Sequence, residues 1–123
     1  MWIAFLLMAF GGMTVSTVGW LGLQGRLKRQ HWAGIRTPYS MANDEQWYAV
    51  HRHGAPYLIF GGVAALAMSL SLLPFAIAGQ LPDAFSVTMA LVVAAVVAAS
   101  AIASWLYGVR SAKAELASDR RVP

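Results

Sequence analysis

The sequence contains no cysteine. That excludes disulfide scaffolds, thiolate metal sites and cysteine nucleophiles, and it leaves the redox compartment unread. Charge is nearly as scarce: Asp, Glu, Lys and Arg make up 11% of the 123 residues, less than half of the roughly 25% usual in soluble domains. Acid is scarcer than base, with five Asp and Glu against nine Lys and Arg and a formal charge of +4. Hydrophobic residues account for 59% of the chain. A soluble globule of this size is excluded, because a small domain exposes much of its surface and these few charges do not cover it. Disorder is excluded on the same grounds. The length suits one domain and not two.

The charges that are present are clustered. Residues 1–25 carry none, and from Pro56 to Val109 only Asp83 interrupts. Three apolar blocks result, at about 2–23, 56–78 and 84–109. A hydrocarbon core of about 30 Å is crossed by roughly 20 helical residues, and a backbone in lipid must satisfy its own polar groups, so each block is expected to be a transmembrane helix. The first block is read as a span and not as a signal peptide, because Met1–Phe5 lacks a basic n-region and a basic segment follows directly. The fold class is therefore all-α: one polytopic membrane domain of three spans, a loop over 24–55 and a tail over 110–123. Lys and Arg fall only in that loop and that tail. With three spans these lie on one side, which the positive-inside rule makes cytoplasmic, with the N-terminus outside. Nine cations explained by topology do not argue for nucleic acid, and no nucleic-acid partner is expected.

Small residues recur at four-residue spacing: Gly12 and Ser16; Gly61, Ala65 and Ser69; Ser100, Ser104 and Gly108. Such stripes let helices approach closely in lipid. Packing within one bundle and docking of an oligomer or partner both remain open. Pro74, Gly79 and Pro82 mark a short turn that makes the second and third spans antiparallel neighbours.

The loop is too long for a plain connection. Its first half, Gly25–Ser40, is basic, with Gly34 and Pro38 as breakers. Its second half, Asn43–His53, has a helical pattern: Asn43 or Ser40 as cap, Asp44 and Glu45 in the first turn, and Trp47, Val50 and His51 on one face. It is expected to be a short amphipathic helix on the cytoplasmic interface, with His51, Arg52 and His53 at its C-terminal end and a bend at Pro56.

Gly25-Arg26-Leu27, then Arg29-Gln30-His31-Trp32-Ala33-Gly34-Ile35-Arg36-Thr37-Pro38, then Trp47 and His51-Arg52 resemble the signature of the SdpI family of bacterial membrane proteins. Gln30 stands where family members often have asparagine. The resemblance runs over about Gly19–Tyr57 by motif and over the whole chain by its three-span layout. It implies a multi-pass protein of the bacterial plasma membrane with an immunity-type or accessory role.

The candidate recognition residues are Arg29, Trp32, Gly34, Arg36, Thr37, Pro38, Trp47, His51 and Arg52. Trp32, Arg36, Thr37 and Trp47 are expected to build a platform, and Arg29, Arg36 and Arg52 to face phosphate or an acidic partner. Arg36, held between Gly34 and Pro38, suits bidentate binding of phosphate or carboxylate; a pair with Asp44 or Glu45 is the intramolecular alternative. His31, His51 and His53 lack metal-ligand spacing, so no metal site is expected. The predicted spans hold no ionisable residue to relay protons. No nucleophile has a base beside it and no Gly-rich phosphate loop has recognised spacing, so neither catalysis nor a cofactor is expected. Glu115 is given no role. The expected function is SdpI-like recognition of a partner or lipid through the cytoplasmic loop. Anionic headgroups, another membrane protein or complex, and a second copy of the chain are the candidate partners. A small subunit of a larger membrane complex and an oligomeric lipid-binding or transport protein are the alternatives.

Overall fold

A computed structural model describes residues 2–121. Three helices follow one another, α1 (Trp2–Leu23), α2 (Asp44–Ile77) and α3 (Asp83–Arg121), and there is no strand among the described residues. Each is long and apolar enough to cross a membrane. Val122 and Pro123, the end of the expected tail, lie outside the described residues.

α2 is the central helix. It packs along its length against both neighbours, whereas α1 and α3 barely meet. Both seams are built from small residues. On the α1 side a Cβ added to Gly12 would stand 2.7 Å from the Gly62 carbonyl oxygen, and one on Gly62 would meet the Ser16 backbone nitrogen at 2.6 Å. On the α3 side, Gly61 faces Ser100, Gly54 faces Ser104, and Gly108 faces the Val50 carbonyl. The Ser104 hydroxyl donates to the Gly54 carbonyl oxygen at 2.8 Å, tying α3 to α2. The small-residue stripes are thus used within the chain. Just past the end of α2, Gly79 has a φ of +71° that lets the Gln80 N–H turn back to the Phe75 carbonyl at 2.9 Å.

At 34 and 39 residues, α2 and α3 are about 50 and 60 Å long at 1.5 Å per residue, well beyond the hydrocarbon core. The turn joining them is short, so the excess lies at the other end. There the first turns of α2 and the last turns of α3 run side by side. Ile35, Ala49, Val50, Ala112 and Leu116 form a small buried core between them, with Tyr39 and Val109 packed against it.

One expectation needs correction. Asn43–His53 is not a separate interfacial helix, and the chain does not bend out of helix at Pro56: Asp44–Ile77 is one continuous helix with Pro56 and Pro74 inside it. Proline removes one helical hydrogen bond. The burial of Trp47, Ala49, Val50 and His51 offsets that loss by holding the preceding turns in line with the span. His51, Arg52 and His53 therefore sit mid-helix and not at a C-terminus. Of the two expected caps, Asn43 and Ser40, the cap is Asn43, whose extended backbone places its Oδ1 to accept the Gln46 N–H at 2.8 Å.

Candidate functional site: a clamped loop over an apolar cleft

The segment between α1 and α2 has no regular secondary structure, so its backbone groups need other partners. Several come from α2. The Trp47 indole, fully buried, donates to the Leu27 carbonyl oxygen at 2.7 Å. His51, also buried, accepts the Ile35 N–H at Nε2 (2.7 Å) and stands 2.8 Å from the Trp47 carbonyl through Nδ1. Because Ile35 can only donate, Nε2 is bare and the proton sits on Nδ1. His51 lies ahead of the apolar block that begins at Pro56. Burial pushes its pKa below the usual histidine value, and the hydrogen bond to Trp47 partly opposes this. The Trp47 and His51 rings lie 4.1 Å apart, tilted by 36°.

Gly34 makes this approach possible. Its φ is +96°, and a Cβ there would stand 2.5 Å from His51 Nε2. The next residue, Ile35, is then directed into the extramembrane core. Ser40, buried, closes the turn that follows. Its hydroxyl donates to the Ile35 carbonyl oxygen at 2.7 Å and accepts the Thr37 N–H at 2.9 Å, while the Thr37 hydroxyl accepts the Ser40 N–H at 3.1 Å.

The ionic contacts differ from expectation. Arg29, not Arg36, pairs with Asp44 (3.2 Å), and it also donates to the Met41 carbonyl. Arg36 is exposed and bonds the His31 carbonyl oxygen. Arg52 reaches both carboxylate oxygens of Glu115 at 2.7 Å, and His53 Nε2 lies 2.6 Å from one of them. Glu115, which the sequence alone left without a role, thus ties the end of α3 to α2. Its pKa is held below the ordinary carboxylate range by the His53 and Arg52 hydrogen bonds. Sequence reasoning missed this pair because its members lie 63 residues apart and meet only when both helices outrun the membrane.

The candidate residues fall into three groups. Gly34, Thr37, Trp47 and His51 belong to the clamp, and Arg29 and Arg52 have acids of this chain. Trp32, Arg36 and Pro38 are exposed. Trp32 and Trp47 share no surface, with Trp32 81% exposed and Trp47 0%. Beneath residues 32–38 lies a cleft of about 750 Å³. Its walls are Val15 and Val18 of α1 and Ala101, Ile102 and Trp105 of α3, and Leu58 of α2 is its floor.

A family model described as the SdpI/YfhL protein family matches residues 26–108. That range takes in the clamped loop, α2 and the membrane portion of α3. No curated protein and no solved structure is matched by the chain.

Proposed function

Because the chain belongs to the SdpI/YfhL protein family, we propose that it is an immunity-type or accessory membrane protein. On this reading it works by recognising a partner or lipid, without catalysis. Its loop and the projecting ends of α2 and α3 face the bacterial cytoplasm. The observation that carries the reading is the contrast inside one short segment. The backbone of 34–40 is fixed by buried bonds to His51 and Ser40, while Trp32, Arg36 and Pro38 stay exposed beside it. A rigid backbone presenting free side chains suits binding, because little order remains to be gained on contact. Reactivity is disfavoured at the buried ionisable group of α2 that holds the loop, since both nitrogens of His51 are already engaged. The cationic loop agrees with a cytoplasmic face by the positive-inside rule.

The test is protection of cells from secreted membrane-active peptides. Expression of the wild-type chain should protect, and Arg36→Ala at equal membrane abundance should not. Full protection by Arg36→Ala would overturn the role given to the loop. Failure of the wild-type chain against a panel of such peptides would remove the immunity reading. The accessory reading then stands or falls on whether the same membrane partners copurify in gentle detergent.

A further inference from the structure

The cleft under residues 32–38 has the composition of an amphiphile site. Its walls are mostly apolar, formed where α1 and α3 barely meet. Ala101 and Ile102 on the α3 wall are exposed, so the cleft opens sideways, toward what is lipid in a membrane. Its size falls within the roughly 300–1,000 Å³ of small-molecule sites. At its loop end stand Trp32, Trp105 and Arg36, and none of its lining residues is acidic. Indole beside a cation is the chemistry of the headgroup level. Arg29 and Arg52 are matched by Asp44 and Glu115. Arg36 has only a backbone carbonyl and no acid among the described residues.

We propose that this cleft binds one anionic phospholipid of the surrounding bilayer, with an acyl chain between α1 and α3 and the phosphate on the Arg36 guanidinium. A guanidinium offers a planar fork of donors suited to phosphate oxygens. A helix from a second copy fits less well. It is about 10 Å across and packs best on small residues, yet Gly12, Gly61, Gly62 and Gly108 are used inside this chain. The roof over the loop end would also stop such a helix. The proposal rests on the recognition reading above and names its ligand.

The test uses the full chain, purified in mild detergent and stripped of lipid. It is titrated with phosphatidylglycerol or phosphatidylcholine of equal chain length, and bound species are resolved by native mass spectrometry. The wild type should retain one phosphatidylglycerol, favoured over phosphatidylcholine by about fivefold, the factor that one cation near an anionic surface supplies. Arg36→Gln should bring the two lipids to parity. Ala101→Phe, which fills the cleft, should weaken both. Ala64→Phe, in an apolar groove lined by Leu23 and Pro56 and outside this cleft, should bind as the wild type does. Because Arg36 is exposed, Arg36→Gln decides the matter even where Ala101→Phe impairs folding. Equal wild-type affinity for both lipids, or selectivity that survives Arg36→Gln, would overturn the proposal. So would displacement by glycerol phosphate, which has no chain, or a defined dimer that Ala101→Phe dissolves. No peptide or host cell takes part, so a failed lipid site leaves the protection assay to judge the recognition reading separately.

Discussion

Gly34 and His51 form a single device. The loop backbone passes so close to the imidazole that no Cβ fits, and Gly34 takes a positive φ that L side chains rarely adopt. In exchange the Ile35 N–H finds a buried acceptor, which spares the cost of burying it unpaired. Gly34→Ala meets both obstacles at once, a strained φ and a clash with a ring anchored at its other nitrogen. It should destabilise the loop by about 1–3 kcal/mol. Amide exchange at Ile35 should accelerate, while the membrane helices keep their protection. An Ile35 amide as slow as in the wild type would show that the clamp is not set by this glycine. The residues that made the chain resemble its family thus serve two ends. Gly34, Trp47 and His51 build the loop, and Trp32, Arg36 and Pro38 are what the built loop displays.

At the scale of elements, α2 holds the molecule together through seams too close for side chains. Gly11 and Gly12 are adjacent on α1, yet a Cβ on Gly11 meets nothing within 4 Å, whereas one on Gly12 meets backbone atoms of Gly62 and Leu66. Gly11→Ala should therefore be neutral or stabilise by about 0.5–1 kcal/mol through helix propensity. Gly12→Ala should force α1 away from α2 and cost about 1–3 kcal/mol. Unfolding in detergent micelles reads both; equal effects of the two would mean that the seam is not close-packed. The three spans and their order were legible because uninterrupted apolar runs have one solution in lipid. The helical start at Asn43 was legible from its cap and charges. What could not be read was the continuity of α2 through Pro56. Local rules place a bend there, and only burial of Trp47, Val50 and His51 against a distant loop and the end of α3 overrides them. The cleft was equally hidden, since it exists only because two helices barely meet. The fixed Gly34–Pro38 backbone was foreseen as constrained, but its anchor on His51 lies 16 residues on from Ile35.

For the whole molecule, the part projecting beyond the membrane is held by polar contacts that acid removes in two windows. His51 must be neutral to accept from Ile35, and its folded pKa lies below the usual value, near 6.5 for a free histidine. As pH falls below that value the unfolded chain takes a proton that the folded one resists. Stability therefore declines until the lowered folded pKa is reached and levels off beneath it. Glu115 acts in a lower window. Its folded pKa is depressed by His53 and Arg52, so the contribution of the pair is fully present above about 4.3, the ordinary value. It is lost as pH falls through the folded value. The pair is partly exposed, so its share is small and screened by salt. Measured relative to the free-peptide rate at each pH, amide exchange across Ala49–Val50 and Ala112–Leu116 should thus rise first below about pH 6.5 and again below about pH 4.3, with the membrane spans unaffected. Glu115→Gln should abolish the second step and leave the first. A single step that Glu115→Gln shifts as a whole would mean instead that both contacts open together, with α2 and α3 parting as one unit.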